Sequence, residues 1–168
     1  FCRPYSTVHL PVQQSGQSAA NGRERQSPMD IFLKDHLHLA DDGDCTLAVL
    51  CALRAAKDGD TLCLGGGELH FWPDKAFTKE YYISNNDYSL KPIAFPLLHR
   101  RGLTVDGDGA KLIFHGQISP FVIDGSTDIT LQNLTVDYAE PMYFEAKILA
   151  ADETFVEMEY DDTQFHVD

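Results

Sequence analysis

Two stretches of the chain read as copies of one another. Ala94–Gly107, written above Pro120–Asn133 at an offset of 26 residues, brings Phe95 over Phe121, Leu97 over Ile123, Leu103 over Ile129 and Val105 over Leu131. Farther on, Leu112-Ile113-Phe114-His115 meets Leu134-Thr135-Val136-Asp137 at an offset of 22, the difference being the extra Asp108-Gly109-Ala110-Lys111. Each unit then holds three strands of three to five residues, separated by turns of Gly, Asp, Asn or Ser. Strands that short cannot cover a core as one flat sheet. Wound and stacked they can, because each winding of a solenoid sets like side chains over like. Alternation sends Leu103, Val105, Ile129 and Leu131 inward and Thr104 and Thr130 outward. Asn133 falls at the bend between the second and third strands, where its amide can bond the backbone or a stacked neighbour. A β-sandwich with regular turns is the rival arrangement, and the doubled spacing favours the solenoid.

Upstream, Ile31-Phe32-Leu33 leads to an acidic turn, Asp41-Asp42-Gly43-Asp44, in which Asp42 or Asp44 can accept the free N–H groups of a helix start. The segment Cys45–Lys57 is mostly Leu, Ala and Val, and Gly59 supplies a left-handed stop, which predicts a helix. Leu47, Leu50, Cys51 and Arg54 share one face, while Val49, Leu53 and Ala56 make another. So apolar a helix must cover something, and the open N-terminal end of a solenoid is what needs covering. Short strands over Leu62–Leu64 and Leu69–Trp72 follow. Past Pro141 the repeat stops: Tyr143–Leu149 and Thr154–Tyr160 alternate across an Ala150–Glu153 turn, which predicts an antiparallel hairpin.

Charge and composition limit the partners. Thirteen basic residues stand against 26 acidic ones, a formal charge of −13, which argues against nucleic acid or an anionic membrane as partner. No apolar run approaches the roughly 18 residues of a membrane span, so no insertion is expected. Residues 1–28 are rich in Ser, Gln, Gly, Pro and Arg without periodicity, and Arg3, Arg23 and Arg25 against Glu24 leave them at +2 and the rest at −15. They read as a disordered leader on a folded acidic body, with Phe1 rather than Met marking a piece of a longer frame and no secretory signal pattern visible. Cys2, Cys45, Cys51 and Cys63 are too few for a disulfide scaffold and lack zinc-knuckle spacing, so free thiols are expected. His36-Leu37-His38 has no third ligand, and Gly65-Gly66-Gly67 lacks the Lys-Ser/Thr of a phosphate loop. Neither a metal nor a cofactor is expected.

The entry Ala40-Asp41-Asp42-Gly43-Asp44, the helix, and Asp58-Gly59-Asp60-Thr61-Leu62 resemble the start of right-handed parallel β-helix proteins of the pectate-lyase-like superfamily. A narrower likeness runs through Phe71-Trp72-Pro73-Asp74-Lys75-Ala76, Tyr81–Asp87, Ile93–Leu97, Leu103–Gly107, Ile113-Phe114-His115-Gly116, Pro120-Phe121 and Ile129–Leu131 to Leu134–Tyr138. Together these strings are similar to the N-terminal part of glycoside hydrolase family 110, bacterial exo-acting α-1,3-galactosidases, over roughly Lys34–Pro141. The joint occurrence of PDKA, ISNND and FHG narrows the likeness. It implies an all-β fold: a right-handed parallel β-helix with an N-terminal capping helix over 29–141, and over 142–168 the truncated start of an antiparallel β insertion. It also implies galactose-containing glycans as partners and a periplasmic or secreted location. Family members are several times longer, with their catalytic carboxylates on later coils, so the resemblance makes this the N-terminal piece and assigns no catalytic residue here. Their inverting reaction needs an acid and a base about 6.5–9.5 Å apart with water between.

Five residues are candidates to touch a sugar. Asp124 points outward at the end of its strand, His115 and Asp137 hold equivalent places one coil apart, and Asn85 and Asp87 offer amide and carboxylate groups to hydroxyls. The plainer readings are turn ties for His115 and Asp137 and ordinary turn chemistry for Asn85-Asn86-Asp87. Asn133-Leu134-Thr135 fits a glycosylation sequon, although a stacked turn asparagine has a structural reason to exist. The stretch after Ala151 carries seven acidic residues and no Lys or Arg, which reads as a solvated hairpin face. A non-catalytic β-helix module that binds carbohydrate or acts as an adhesin is the second reading. A polysaccharide lyase is a weaker third, since a −15 body would need bridging calcium to hold a polyanion.

Overall fold

The structure, a computed structural model, describes residues 27–82, 88–141 and 145–160. Among these the chain is all-β, with one α-helix, α1 (Thr46–Ala55), beside ten strands. The strands are β1 (Asp30–Phe32), β2 (Thr61–Cys63), β3 (Glu68–Phe71), β4 (Phe77–Tyr82), β5 (Tyr88–Leu98), β6 (Thr104–Phe114), β7 (Ser119–Asp124), β8 (Thr130–Tyr138), β9 (Ala146–Ala151) and β10 (Val156–Tyr160). In the largest sheet β1, β2, β6 and β8 lie side by side and parallel, and β3 pairs with the second half of β6. A second sheet runs β4-β5-β7, with β5 and β7 parallel.

The repeat read from the sequence is the register of these sheets. Phe95 pairs with Phe121 and Leu97 with Ile123, and on the other sheet Thr104 pairs with Thr130 and Val105 with Leu131. The last part of the repeat differs from expectation. The second and third strands of each unit are one continuous strand, and beyond the junction the partners are Leu112↔Val136, Ile113↔Asp137 and Phe114↔Tyr138, an offset of 24 rather than 22. The mismatch is absorbed between Asp106 and Ala110, where Gly107-Asp108-Gly109 oppose Asn133 alone. Two surplus residues suffice at that bulge, and the resulting register sets the Phe114 ring on that of Tyr138, centroids 5.8 Å apart. Gly107 is obligatory: a Cβ there would collide with the Asn133 carbonyl oxygen. Asn133 itself sits at φ 54°, and its amide donates to Asp106 Oδ1 at 3.1 Å, the stacked bond anticipated for it.

Inward positions form two aromatic columns. Phe71, Phe114 and Tyr138 stack across β3, β6 and β8, the first pair at 5.0 Å. Phe95 and Phe121 stack across β5 and β7 at 4.7 Å, and Phe71 meets Phe95 at 5.3 Å to join the columns. Leu62, Leu97, Leu103, Val105 and Leu112 fill the space between and are fully buried. Helix α1 closes this core with Ala48, Val49 and Ala52, also fully buried. Its start follows from Asp44, whose Oδ1 accepts the Thr46 N–H at 2.9 Å. It stops at Ala55, before the expected Lys57, where the Arg100 guanidinium donates to the carbonyls of Leu53 (2.6 Å) and Ala56 (2.8 Å). That cation satisfies orphan acceptors at the helix's negative end.

Among the described residues Cys45 and Cys63 are free thiols, as expected. Burial pushes the Cys45 thiol pKa up, which keeps it inert. The C-terminal segment forms the expected hairpin, β9 antiparallel to β10. Its turn lies two residues later than predicted, because Asp152 Oδ1 accepts the Thr154 N–H and hydroxyl at 2.7 Å and the Phe155 N–H at 3.2 Å.

Candidate functional site

The register that shifted the last strand separates two residues expected to be equivalent. Asp137 pairs with Ile113, one position before Phe114, and forms an ion pair with Lys111 (3.3 Å). His115 follows Phe114, and its N–H donates to the carbonyl of Phe71. There the imidazole meets Trp72, ring centroids 3.9 Å apart and planes within 6°, while its Nε2 lies 2.9 Å from His70 Nδ1. His115 therefore works with His70 and Trp72, and Asp137 with Lys111. Burial first, and the neighbouring His70 second, hold the His115 pKa below the ordinary imidazole value.

Asp124 is outward at the end of β7, as alternation predicts, and its Oδ2 accepts from the Tyr81 hydroxyl (2.8 Å) and from Lys79 Nζ (3.1 Å). These two donors, Tyr81 first, hold its carboxyl pKa below the usual carboxylate value. The contact also reports on shape. Tyr81 pairs with Ser89 while Asp124 pairs with Leu98, points nine residues apart on β5, or about 30 Å along a straight strand at 3.3 Å per residue. β5 is therefore sharply bent, bringing the β4–β5 hairpin back over β7. A cavity of about 430 Å³, lined by Phe77, Pro96, Leu98, His99 and Arg100, opens on the strand next to Asp124. Arg100, on the wall of this cavity, has its guanidinium engaged by the carbonyls of Leu53 and Ala56 at the end of α1.

Asp106 was not singled out from the sequence. It lies on the outward face of β6 and accepts from Gln132 Nε2 (2.7 Å), Asn133 Nδ2 (3.1 Å) and the Asp108 N–H (3.0 Å). These donors, the Asp108 amide foremost, lower its pKa. The structure thus distributes His115, Asp124 and Asp137 over three groups with different partners, while Asn85 and Asp87 lie outside the described residues. Among the described residues no group of three or more His, Cys, Asp or Glu side chains is arranged to hold a metal ion, and no helix is long and apolar enough to cross a membrane. His70 and Trp72 were also missed, although a signal for them exists: Leu69-His70-Phe71-Trp72 and Leu112-Ile113-Phe114-His115 share Leu-x-Phe, and aligning the two sets Trp72 beside His115.

No family model matches the chain. Among curated relatives, it is 36% identical over 124 residues to alpha-1,3-galactosidase A of Shewanella woodyi, covering 73% of this chain and 20% of that protein. It is 41% identical over 106 residues to alpha-1,3-galactosidase B of Phocaeicola vulgatus, covering 62% and 18%. It is 37% identical over 150 residues to alpha-1,3-galactosidase A of Streptomyces avermitilis, covering 84% and 24%. The chain spans about a fifth of the length of these relatives. The likeness first read from scattered strings therefore holds along most of the sequence, and this chain corresponds to one portion of the larger α-1,3-galactosidases of glycoside hydrolase family 110.

Proposed function

We propose that the chain is the N-terminal part of an exo-acting glycoside hydrolase that removes terminal α-1,3-linked galactose by inversion, its catalytic carboxylate pair lying outside these residues. In this reading residues 29–141 are the first coils of a right-handed parallel β-helix, α1 is their cap, and the β9–β10 hairpin begins an inserted β unit. The observation that carries it is the match of most of this chain to a fifth of several proteins named alpha-1,3-galactosidase. The parallel registers at offsets of 26 and 24 support the coiled architecture.

The carboxylates described here support placing the catalysis elsewhere. A general acid for glycosidic oxygen needs its pKa raised toward neutrality. Asp106 and Asp124 are both shifted the other way by their donors, and Asp137 is tied to Lys111. The role of this part is then to close the end of the coil stack and hold later coils in register.

Expressing the gene extended beyond Asp168 and supplying a terminal α-1,3-galactosyl oligosaccharide tests the proposal. Galactose should be released as the β-anomer in NMR spectra taken within the first minutes, and the 168-residue chain alone should release none. Release of the α-anomer would overturn the inverting mechanism. Glycan binding without cleavage by the extended protein would transfer the assignment to a non-catalytic binding module.

A further inference from the structure

The ends of β3 and β6 hold three rings that the hydrolase reading does not use. His70 Nδ1 and His115 Nε2 are 2.9 Å apart while the ring centroids are 5.2 Å apart, so the imidazoles meet end to end. That is the geometry of an N–H···N bond with one shared proton, not of two nitrogens converging on a metal. Trp72, the one tryptophan of the chain, lies flat on His115. The same backbone seats the start of α1. The Cys45 N–H donates to the carbonyl of His70 (2.9 Å), the Trp72 N–H donates to Thr46 Oγ1 (3.2 Å), and the Thr46 hydroxyl lies 3.3 Å from the Trp72 carbonyl oxygen. Thr46 is fully buried, so these bonds are the only ones its hydroxyl is offered in the described structure.

We propose that His70 and His115 form a proton-governed latch on the joint between α1 and the sheet. The bond between the rings needs at least one neutral imidazole. When both carry a proton the rings repel and part, freeing Trp72 from His115 and loosening the seat of α1. The charged groups on the surrounding strands are of both signs: Lys111 of β6 pairs in register with Glu68 and holds Asp137 of β8 at 3.3 Å, and the remaining ones are acidic. Glu68 Oε1, on the same strand as His70, lies 3.1 Å from His70 Nε2 and steadies a proton there. Asp44, ahead of α1, and Glu140, after β8, act on His115 through space. Burial first, and His70 second, outweigh them and depress the His115 pKa.

The sign of the pH effect follows. Between the lowered folded pKa of His115 and its unfolded value of about 6.5, the unfolded chain binds more protons. The latch therefore contributes its full stability above about pH 6.5 and loses it as pH falls through the folded His115 value.

Histidine-ring NMR on the 168-residue chain between pH 8 and 4.5 tests the latch, independently of any galactosidase activity. At pH 7.5 the His115 ring protons should be shifted upfield by the Trp72 ring current. On acidification the two histidines should titrate as a coupled pair. At the second step the upfield shift should vanish, together with the amide positions of Cys45, Thr46 and Trp72, while the amides of β5 and β7 stay in place. In the variant His70→Gln, which keeps a hydrogen-bonding side chain but no second charge, His115 should titrate in one step and stay on Trp72 through the acid limb. An upfield shift that survives to pH 4.5 in the parent chain would overturn the latch. So would an unchanged His115 titration in the variant, or loss of amide positions throughout the chain at the same pH.

Discussion

The stacked strands and the β9–β10 hairpin are both β-structure rich in apolar residues, yet they bury them differently. In the stack, Phe71, Phe95, Phe114, Leu103 and Val105 are fully buried, each with a like residue on the neighbouring strand. In the hairpin, Ile148, Leu149, Val156 and Met158 are all exposed, Ile148 at 66%. A two-stranded ribbon has no second layer to bury its faces against, whereas a parallel stack supplies its own neighbour above and below. Alternation in sequence thus marks a strand and says nothing about what, if anything, lies over its apolar face.

Substitutions can be ranked by that contrast, with urea unfolding followed by far-UV circular dichroism as the common measurement. Phe95→Ala, in the centre of the joined aromatic columns, should cost about 3–5 kcal/mol. A loss under about 1 kcal/mol would mean the columns do not bear on stability as their packing implies. Arg100→Met keeps the apolar stem and removes the charged donors from the carbonyls of Leu53 and Ala56. It should cost about 1.5–3 kcal/mol, and helical signal should melt ahead of the strands if the cap alone is loosened. Met158→Ala in the hairpin should stay within about 0.5 kcal/mol, as expected of an exposed position. A larger cost there would show that the hairpin is covered in solution and would collapse the distinction between the two regions.

What the sequence disclosed follows the same division. The pairing of Phe95 with Phe121 and Val105 with Leu131 was legible because stacking repeats side-chain chemistry at a constant interval. The terminal strand was set two residues out because Leu112-Ile113-Phe114 resembles Leu134-Thr135-Val136 in character, while the chain instead places Phe114 on Tyr138 and spends its surplus at Gly107–Gly109. That error alone created the supposed equivalence of His115 and Asp137. The exposure of Asp124 was legible from alternation. Its partners were not, since Lys79 and Tyr81 reach it only because β5 bends back, and no local pattern encodes that curvature. His70 escaped notice for a different reason: its partner is 45 residues away, and only the shared Leu-x-Phe frame connects them.

The unequal intervals on either side of Gly107 have one more effect. If β8 slid by two residues along β6, inward side chains would still face inward, which in a uniform ladder makes such a slip the least costly mistake. Here the displacement that would realign one half of the strand must carry the other half away from its partner. Like a key cut with two different notches, the pair accepts a single seating, and misassembly during folding is discouraged by arithmetic rather than by any added bond.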